Sequence, residues 1–191
     1  MKSALLAAAL TATFATASFA EPVAYNLDAS HSQVVFSYNH LGFSTSWGMF
    51  SGFEGSIMFD ADNPAASTVS VSMPVMSMLT GWEARFNHFM GEDFFFADEG
   101  SMITFTSTAI EVTGDNTALI TGDLSMNNVT KSVVLDAVLN KAGDHPMAGK
   151  PWLGFNATTS VMRTDFNLGE FAPFVGDEVS IQISIEAAQA G

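Results

Sequence analysis

Glu178–Ala187, "EVSIQISIEA", is the stretch whose reading decides the fold. Val179, Ile181, Ile183 and Ile185 alternate with Ser180, Gln182 and Ser184. Successive side chains of a strand point to opposite faces, so this order sends four branched apolar residues one way and three polar ones the other. On a helix the same residues would scatter around the axis. The stretch predicts a strand with one face on a core and one in water, the habit of antiparallel sheets.

The same period recurs outward from it. Val69, Val71, Met73 and Val75 share a face, as do Val34, Phe36 and Tyr38. So do Phe53, Ile57 and Phe59; Ile103, Phe105, Ser107 and Ala109; and Ala118, Ile120, Gly122, Leu124 and Met126. Val133, Leu135, Ala137 and Leu139 form another set, and Phe155, Ala157, Thr159 and Val161 the last. Turn-forming clusters separate them: "DADNPAAS", "TGDN", "MNNVT" and "KAGDHPMAGKP". The class is all-β, and about eight hairpin-connected strands predict an antiparallel barrel or sandwich. A single long strand over residues 49–60 favours a tall barrel.

One segment breaks the period. Across residues 80–97, Trp82, Phe86 and Phe89 fall within about 60° on a helical wheel. A short helix is predicted there, weakened at Gly91, with "EDFFFADEG" as a further turn or a loop. The rings of Phe94, Phe95 and Phe96 cannot share one face. At least one is expected at the barrel mouth and another between helix and wall.

The chain opens with Lys2, an apolar run and Ser18-Phe19-Ala20. This predicts a signal peptide over 1–20, cleaved after Ala20, and a soluble periplasmic domain over 21–191. The apolar run is too short to span a bilayer, which takes about 20 residues. There is no cysteine, which excludes thiolate metal sites and cysteine nucleophiles. Twenty acidic residues face six basic ones, a net charge of −14. Nucleic acid and anionic lipid surfaces are poor partners for such a chain.

Reactive constellations do not emerge. His31, His40, His88 and His145 are scattered, with no metal-ligand spacing. There is no nucleophile elbow, phosphate loop or dinucleotide fingerprint. No catalytic residue, metal or cofactor is expected. The conspicuous inventory is apolar: 17 Phe, 11 Met and 3 Trp. An eight-stranded barrel is just wide enough for side chains to fill it or for one ligand to displace them. Small residues at inward positions (Ser51, Gly55, Ala109, Ala118, Gly122, Ala137, Ala157) predict an apolar tunnel. A barrel packed full by its own side chains is the competing outcome.

These stretches together resemble the YceI-like family of lipocalin-like exported proteins. The resemblance rests on "YNLDASHSQVVFSYNHLGFS", "GMFSGFEGSIMFDADNPAASTVSVSM", "EDFFFADEGSMITFTST", "TGDLSMNNVTKSVVLDA", "GFNATTSVMRTDFNLG" and "VGDEVSIQISIEA", in that order. It implies an extended eight-stranded lipocalin-like barrel with a helix packed on it. It also implies a long cavity for isoprenoid or other amphipathic lipids, and no enzymatic activity. The family's helix motif, Arg-Asp-x-His-Leu, reads Arg85-Phe86-Asn87-His88-Phe89 here. Phe86 replaces the acid, which removes a local partner for Arg85.

On this resemblance the tunnel candidates are Phe36, Tyr38, Phe43, Trp47, Phe53 and Met73 from the first half of the chain. Trp82, Phe86, Phe89, Phe94 and Phe95 come from the helical segment, and Phe105, Met126 and Phe155 from later strands. Arg85, His88 and Arg163 are headgroup candidates, unless the arginines pair with acids instead. The leading expectation is a binding, transport or storage protein for an isoprenoid lipid. The alternative is an isoprenoid-quinone carrier serving a membrane cytochrome of the b type. A homodimer is compatible with the family, although no residue pattern displays it.

Overall fold

A computed structural model describes residues 21–191. The predicted signal peptide lies outside them. In chain order the strands are β1 (Val23–Leu27), β2 (Gln33–His40), β3 (Ser44–Phe50), β4 (Glu54–Phe59) and β5 (Thr68–Pro74). After the helix α1 (Glu83–Met90) come β6 (Met102–Gly114), β7 (Thr117–Met126), β8 (Val129–Asp144), β9 (Pro151–Met162) and β10 (Glu178–Gln189). Every pairing is antiparallel.

The sheet closes because β10 holds both β1 and β2 along one edge. Leu27 faces Ala187, and Val34 faces Ile183. β1 and β2 are therefore two halves of one interrupted barrel strand. β3 and β4 are likewise two halves, paired with β2 and β1 in turn. Counted this way the barrel has eight long strands, as the periodicity predicts. Closure through β1, β4 and β10 removes most of the free edge that an open sheet would expose; β3 keeps an outer edge, met by the bridge of Met49 to Leu79.

Each interruption has a local cause. Between β1 and β2 the Asp28 carboxylate accepts from the Ser30 amide (3.0 Å), the Ser30 hydroxyl (2.6 Å) and His31 Nδ1 (2.7 Å). This Asx turn offers the backbone an alternative to the ladder. Between β3 and β4, Gly52 takes φ +69°, a left-handed conformation open to glycine. The predicted single strand over 49–60 is thus two strands, broken so that Phe53 enters the core at 3% exposure.

The two ends of the barrel differ. The hairpin end carries the connections at 60–67, 115–116 and 145–150. The helix end carries 41–43, 75–101, 127–128 and 163–177. Asn127 and Asn128 both have positive φ, the signature of a tight hairpin turn. Phe36, Phe50, Phe53, Val75, Met78 and Ile103 cluster inside the helix end, with Phe86, Phe89, Met90 and Phe95 packed on them. A second cluster, Tyr25, Ile57, Leu153 and Ala187, knits β1, β4, β9 and β10 toward the hairpin end. A third, Val161, Phe166 and Leu168, underlies the 163–177 connection.

Candidate functional site: an apolar cavity at the hairpin end

Inside the barrel lies a cavity of about 230 Å³. Its walls follow from strand register. Ala118 of β7 faces Ala137 of β8, which faces Ala157 of β9. Three alanines side by side leave room where larger side chains would meet. Ile181, Ile183 and Ile185 of β10 continue that wall, so the stretch that decides the fold also lines the cavity. Phe105 and Phe155 contribute rings, and Val34, Phe53 and Ile103 form the floor. Those floor residues belong to the helix-end cluster, so floor and plug are one packed body.

The opening is at the β6–β7 turn. Gly114, Asp115, Asn116 and Thr117 line it, together with Pro64 from the 60–67 connection. Val112 there is 47% exposed. Asp115 is the only charged residue among those lining the cavity.

A bulge builds part of this wall. Ser107 pairs with Gly122, but Ala109 pairs with Thr121, so an extra residue enters β6 between them. Facing reverses beyond it. Ala109 turns outward, against the sequence expectation, and Ile110 and Val112 line the cavity instead. Two other small residues serve different ends from those predicted. A Cβ on Gly122 would overlap the Phe105 ring, and one on Gly55 would overlap the Ser70 carbonyl. Their smallness admits a ring and a neighbouring strand. Ser51 stands in the β3–β4 break, outside the cavity lining.

Of the predicted tunnel residues, the structure brings Phe53, Met73, Phe105 and Phe155 to the cavity. Most of the others build the helix-end plug. Phe36 packs on Phe50 with centroids 5.4 Å apart, and Tyr38 on Phe89 at 6.2 Å. Phe86 and Phe95 pack on the same cluster. Phe94 meets Phe89 edge-on at 5.1 Å, and with Met126 it packs against the Phe166 cluster. Phe43 is 90% exposed, and Trp47 also faces out. Trp82 is exposed because it is the N-cap of α1, with extended backbone, rather than part of its inner face. The phenylalanine triple divides, but not with a ring at the cavity mouth as expected: Phe94 and Phe95 pack into the helix-end clusters, while Phe96, at φ +43°, is exposed.

None of the three headgroup candidates lines the cavity. Arg163 is buried and donates to four backbone carbonyls: Leu168 (2.6 Å), Gly176 (2.9 Å), Val175 (2.9 Å) and Glu170 (3.1 Å). Burial lowers its pKa from the ordinary value. Its role is to satisfy carbonyls that the loop turns inward. Beside it, burial acts to raise the Asp177 pKa, but the Thr164 hydroxyl and amide outweigh that and hold the carboxyl below its usual range. Arg85 donates to the Thr80 carbonyl at 3.2 Å and has no ion-pair partner among the described residues, as losing the motif's acid implies. His88 contacts the Asp93 carboxylate at 2.9 Å, both half-exposed.

Among the described residues, Asp28, His31 and Glu186 are one group placed closely enough to share a metal ion. They sit on the outer wall at the β1–β2 break. The Asp28 carboxylate is already shared by Ser30 and His31, and Glu186 accepts from Trp152 Nε1 at 2.9 Å. Hydrogen bonds from Ser30 and then His31 lower the Asp28 pKa; the same bond to Asp28 raises that of His31.

The mouth residues escaped sequence reading for a definable reason. "TGDN" is legible as a turn, but nothing in it tells which barrel end stays open. The shift that brings Ile110 and Val112 inward depends on a bulge that the alternation does not announce.

Comparison with known proteins places this architecture. The YceI-like domain model matches residues 25–187. Protein YceI of Escherichia coli O17:K52:H18 is 37% identical over 191 residues, covering 99% of each chain. The crystal structure of Campylobacter jejuni YceI superposes with a TM-score of 0.70 at 27% identity, covering 80% of this chain and 90% of that one. The polyisoprenoid binding domain from Saccharophagus degradans shares the fold, with a TM-score of 0.66 at 12% identity over 88% of this chain and 99% of that one. With a match spanning nearly all of the described residues and full-length relatives above 30% identity, the chain belongs to the YceI-like family.

Proposed function

We propose that this protein binds the apolar tail of an isoprenoid or similar long-chain amphipathic lipid, and that it carries or stores that lipid rather than transforming it. The observation that carries the reading is the cavity: an apolar space walled by an alanine row and isoleucines, open at one end. The polyisoprenoid-binding domain that shares the fold supports the choice of ligand class. The signal-like start of the chain supports export to the periplasm.

Magnitudes constrain how the tail sits. Burying one methylene is worth about 0.8 kcal/mol, so a five-carbon unit offers roughly 4 kcal/mol gross. Micromolar affinity corresponds to about −8 kcal/mol. Association costs at least about 4 kcal/mol, so several units must be buried. The cavity's 230 Å³ is below the roughly 300–1,000 Å³ of typical ligand pockets. A tail of several units therefore enters by displacing the floor. Phe53 and Ile103 retreat with the plug residues they pack on.

The alternative, a quinone carrier serving a membrane cytochrome of the b type, uses the same cavity. One experiment separates the two. Protein purified from the exported fraction is extracted with organic solvent, and the extract is analysed by mass spectrometry and near-ultraviolet absorbance. A non-absorbing prenyl lipid supports the leading reading, and a redox-active quinone the alternative. If no lipid co-purifies and added prenyl compounds leave the thermal midpoint unchanged, the binding reading fails.

A further inference from the structure

The ligand's polar end must lie at the mouth or in the cavity, and both places have a definite charge character. Among the described residues, no arginine, lysine or histidine lines the cavity. The one charged lining residue, Asp115, is an acid at the rim. The two lysines at this end of the barrel, Lys141 and Lys150, lie outside the lining, and Lys150 Nζ stands 5.8 Å from the Trp152 ring centroid on the outer wall. The basic side chains at the helix end do not compensate. Arg163 is committed to four carbonyls, and the floor cluster separates Arg85 and His88 from the cavity. The chain as a whole carries a net charge of −14.

A phosphorylated headgroup would meet this setting badly. Inside the cavity it would be a buried anion with no counter-charge, among the costliest arrangements in a protein. At the rim it would face Asp115 in the negative field of the whole chain. The polar groups that the mouth does offer, the Asn116 amide and the Thr117 hydroxyl, suit an uncharged oxygen or nitrogen.

We infer that the cavity selects lipids with uncharged headgroups, such as a free prenol, a quinone ring or an amide, and discriminates against their phosphate and diphosphate esters. The inference rests on the lipid-binding reading above and sharpens its substrate class.

The test compares farnesol with farnesyl diphosphate at equal concentration, below aggregation, by titration calorimetry and thermal shift on the full mature chain. Farnesol is expected to bind at least ten-fold more tightly at low salt. A gain-of-function variant tests the cause: Asp115→Lys, with Asp115→Asn, which only removes the rim acid, as the second choice should the first fail to fold. Asp115→Lys places a cation at the rim and is expected to bring the diphosphate at least five-fold closer to farnesol; Asp115→Asn is expected to move it the same way by a smaller factor. Diphosphate binding as tightly as farnesol to the unmodified protein overturns the inference while leaving lipid binding intact. Discrimination unchanged by both Asp115 variants overturns the electrostatic cause. Binding of neither compound overturns the lipid reading and this inference with it.

Discussion

The two ends of this barrel are built from the same strands and do opposite things. At the helix end the lumen is filled by Phe36, Phe50, Val75 and Met78, sealed by Phe86, Phe89 and Phe95. At the hairpin end it faces three alanines in register and stays open. The difference teaches where room for a ligand comes from. The segment richest in aromatic residues, 81–100, is the stopper, whereas the space depends on residues that contribute almost nothing themselves. A wealth of phenylalanine inside a barrel marks packing first, and a ligand site only where small residues leave the rings unopposed.

The largest expected effect comes from attacking the closed end. Arg163→Met leaves four inward carbonyls without their donor. It should cost about 3–5 kcal/mol of folding stability, readable as a lowered urea midpoint with little change in slope. The folded fraction should keep its lipid affinity, because Arg163 does not touch the cavity. A variant that keeps its stability but loses the ligand would make Arg163 a headgroup residue and break the division between the ends.

Ala157→Phe attacks the open end. Ala157 is 9% exposed, at the end of the alanine row. A ring there fills the space the ligand needs. Lipid affinity should fall more than ten-fold, which is about 1.4 kcal/mol. Overpacking should cost stability about 1–3 kcal/mol, less than at Arg163, because the ring moves into open volume. Retained affinity would mean that the ligand seats elsewhere.

How much of this was legible beforehand depends on the kind of feature. Alternation narrowed the fold to an antiparallel barrel or sandwich, because every strand buries one face, and the family resemblance chose the barrel. Alternation placed Ala137, Ala157 and Ile181 inward. It also gave the helix, from the spacing of Phe86 and Phe89. It did not identify the open end. Which end is plugged depends on where 75–101 folds back, a long-range event with no local signature. Trp82 looked buried on a helical wheel, yet the helix starts one residue later and leaves the ring in water. Arg163 read as a headgroup candidate or a partner for an acid; only the path of 163–177 shows that carbonyls surround it. Counting small residues could not separate Gly122, which admits a ring, from Ala137, which leaves space.

A smaller effect tests whether Asp28–Ser32, "DASHS", builds the strand break rather than a site. Asp28 holds the His31 pKa above its ordinary 6.5, and Ser30 and His31 hold Asp28 below its ordinary 3.8. The raised histidine contributes stability fully below pH 6.5 and loses it as pH rises through the folded-state value. The lowered carboxyl contributes above pH 3.8 and loses it as pH falls through its own folded-state value. Both contributions are complete only between about pH 3.8 and 6.5. Asp28→Asn should return the His31 midpoint toward 6.5 in an NMR titration. His31 lies on the surface, so the effect on stability should be small. An unmoved His31 midpoint would remove Asp28 as the organiser of the break.

The smallest expected effect is the sharpest on the comparison itself. Arg85 and His88 are the polar side chains that sequence reading assigns to a headgroup, and both stand on the sealed side of the plug. Arg85 contributes one hydrogen bond to the Thr80 carbonyl, and His88 one exposed contact to Asp93, a type of pair worth about 1 kcal/mol or less. Arg85→Gln and His88→Gln should therefore leave prenol affinity within two-fold of the unmodified chain by calorimetry, with thermal midpoints nearly unchanged. A displaced floor does not alter this expectation: Phe86 and Phe89 pack on the floor cluster, so in moving with it their rings stay between the tail and the helix's polar face. A ten-fold loss in either variant would place the lipid's polar end beside α1. The ligand would then run the full length of the barrel, and the helix end would be its second mouth rather than its stopper.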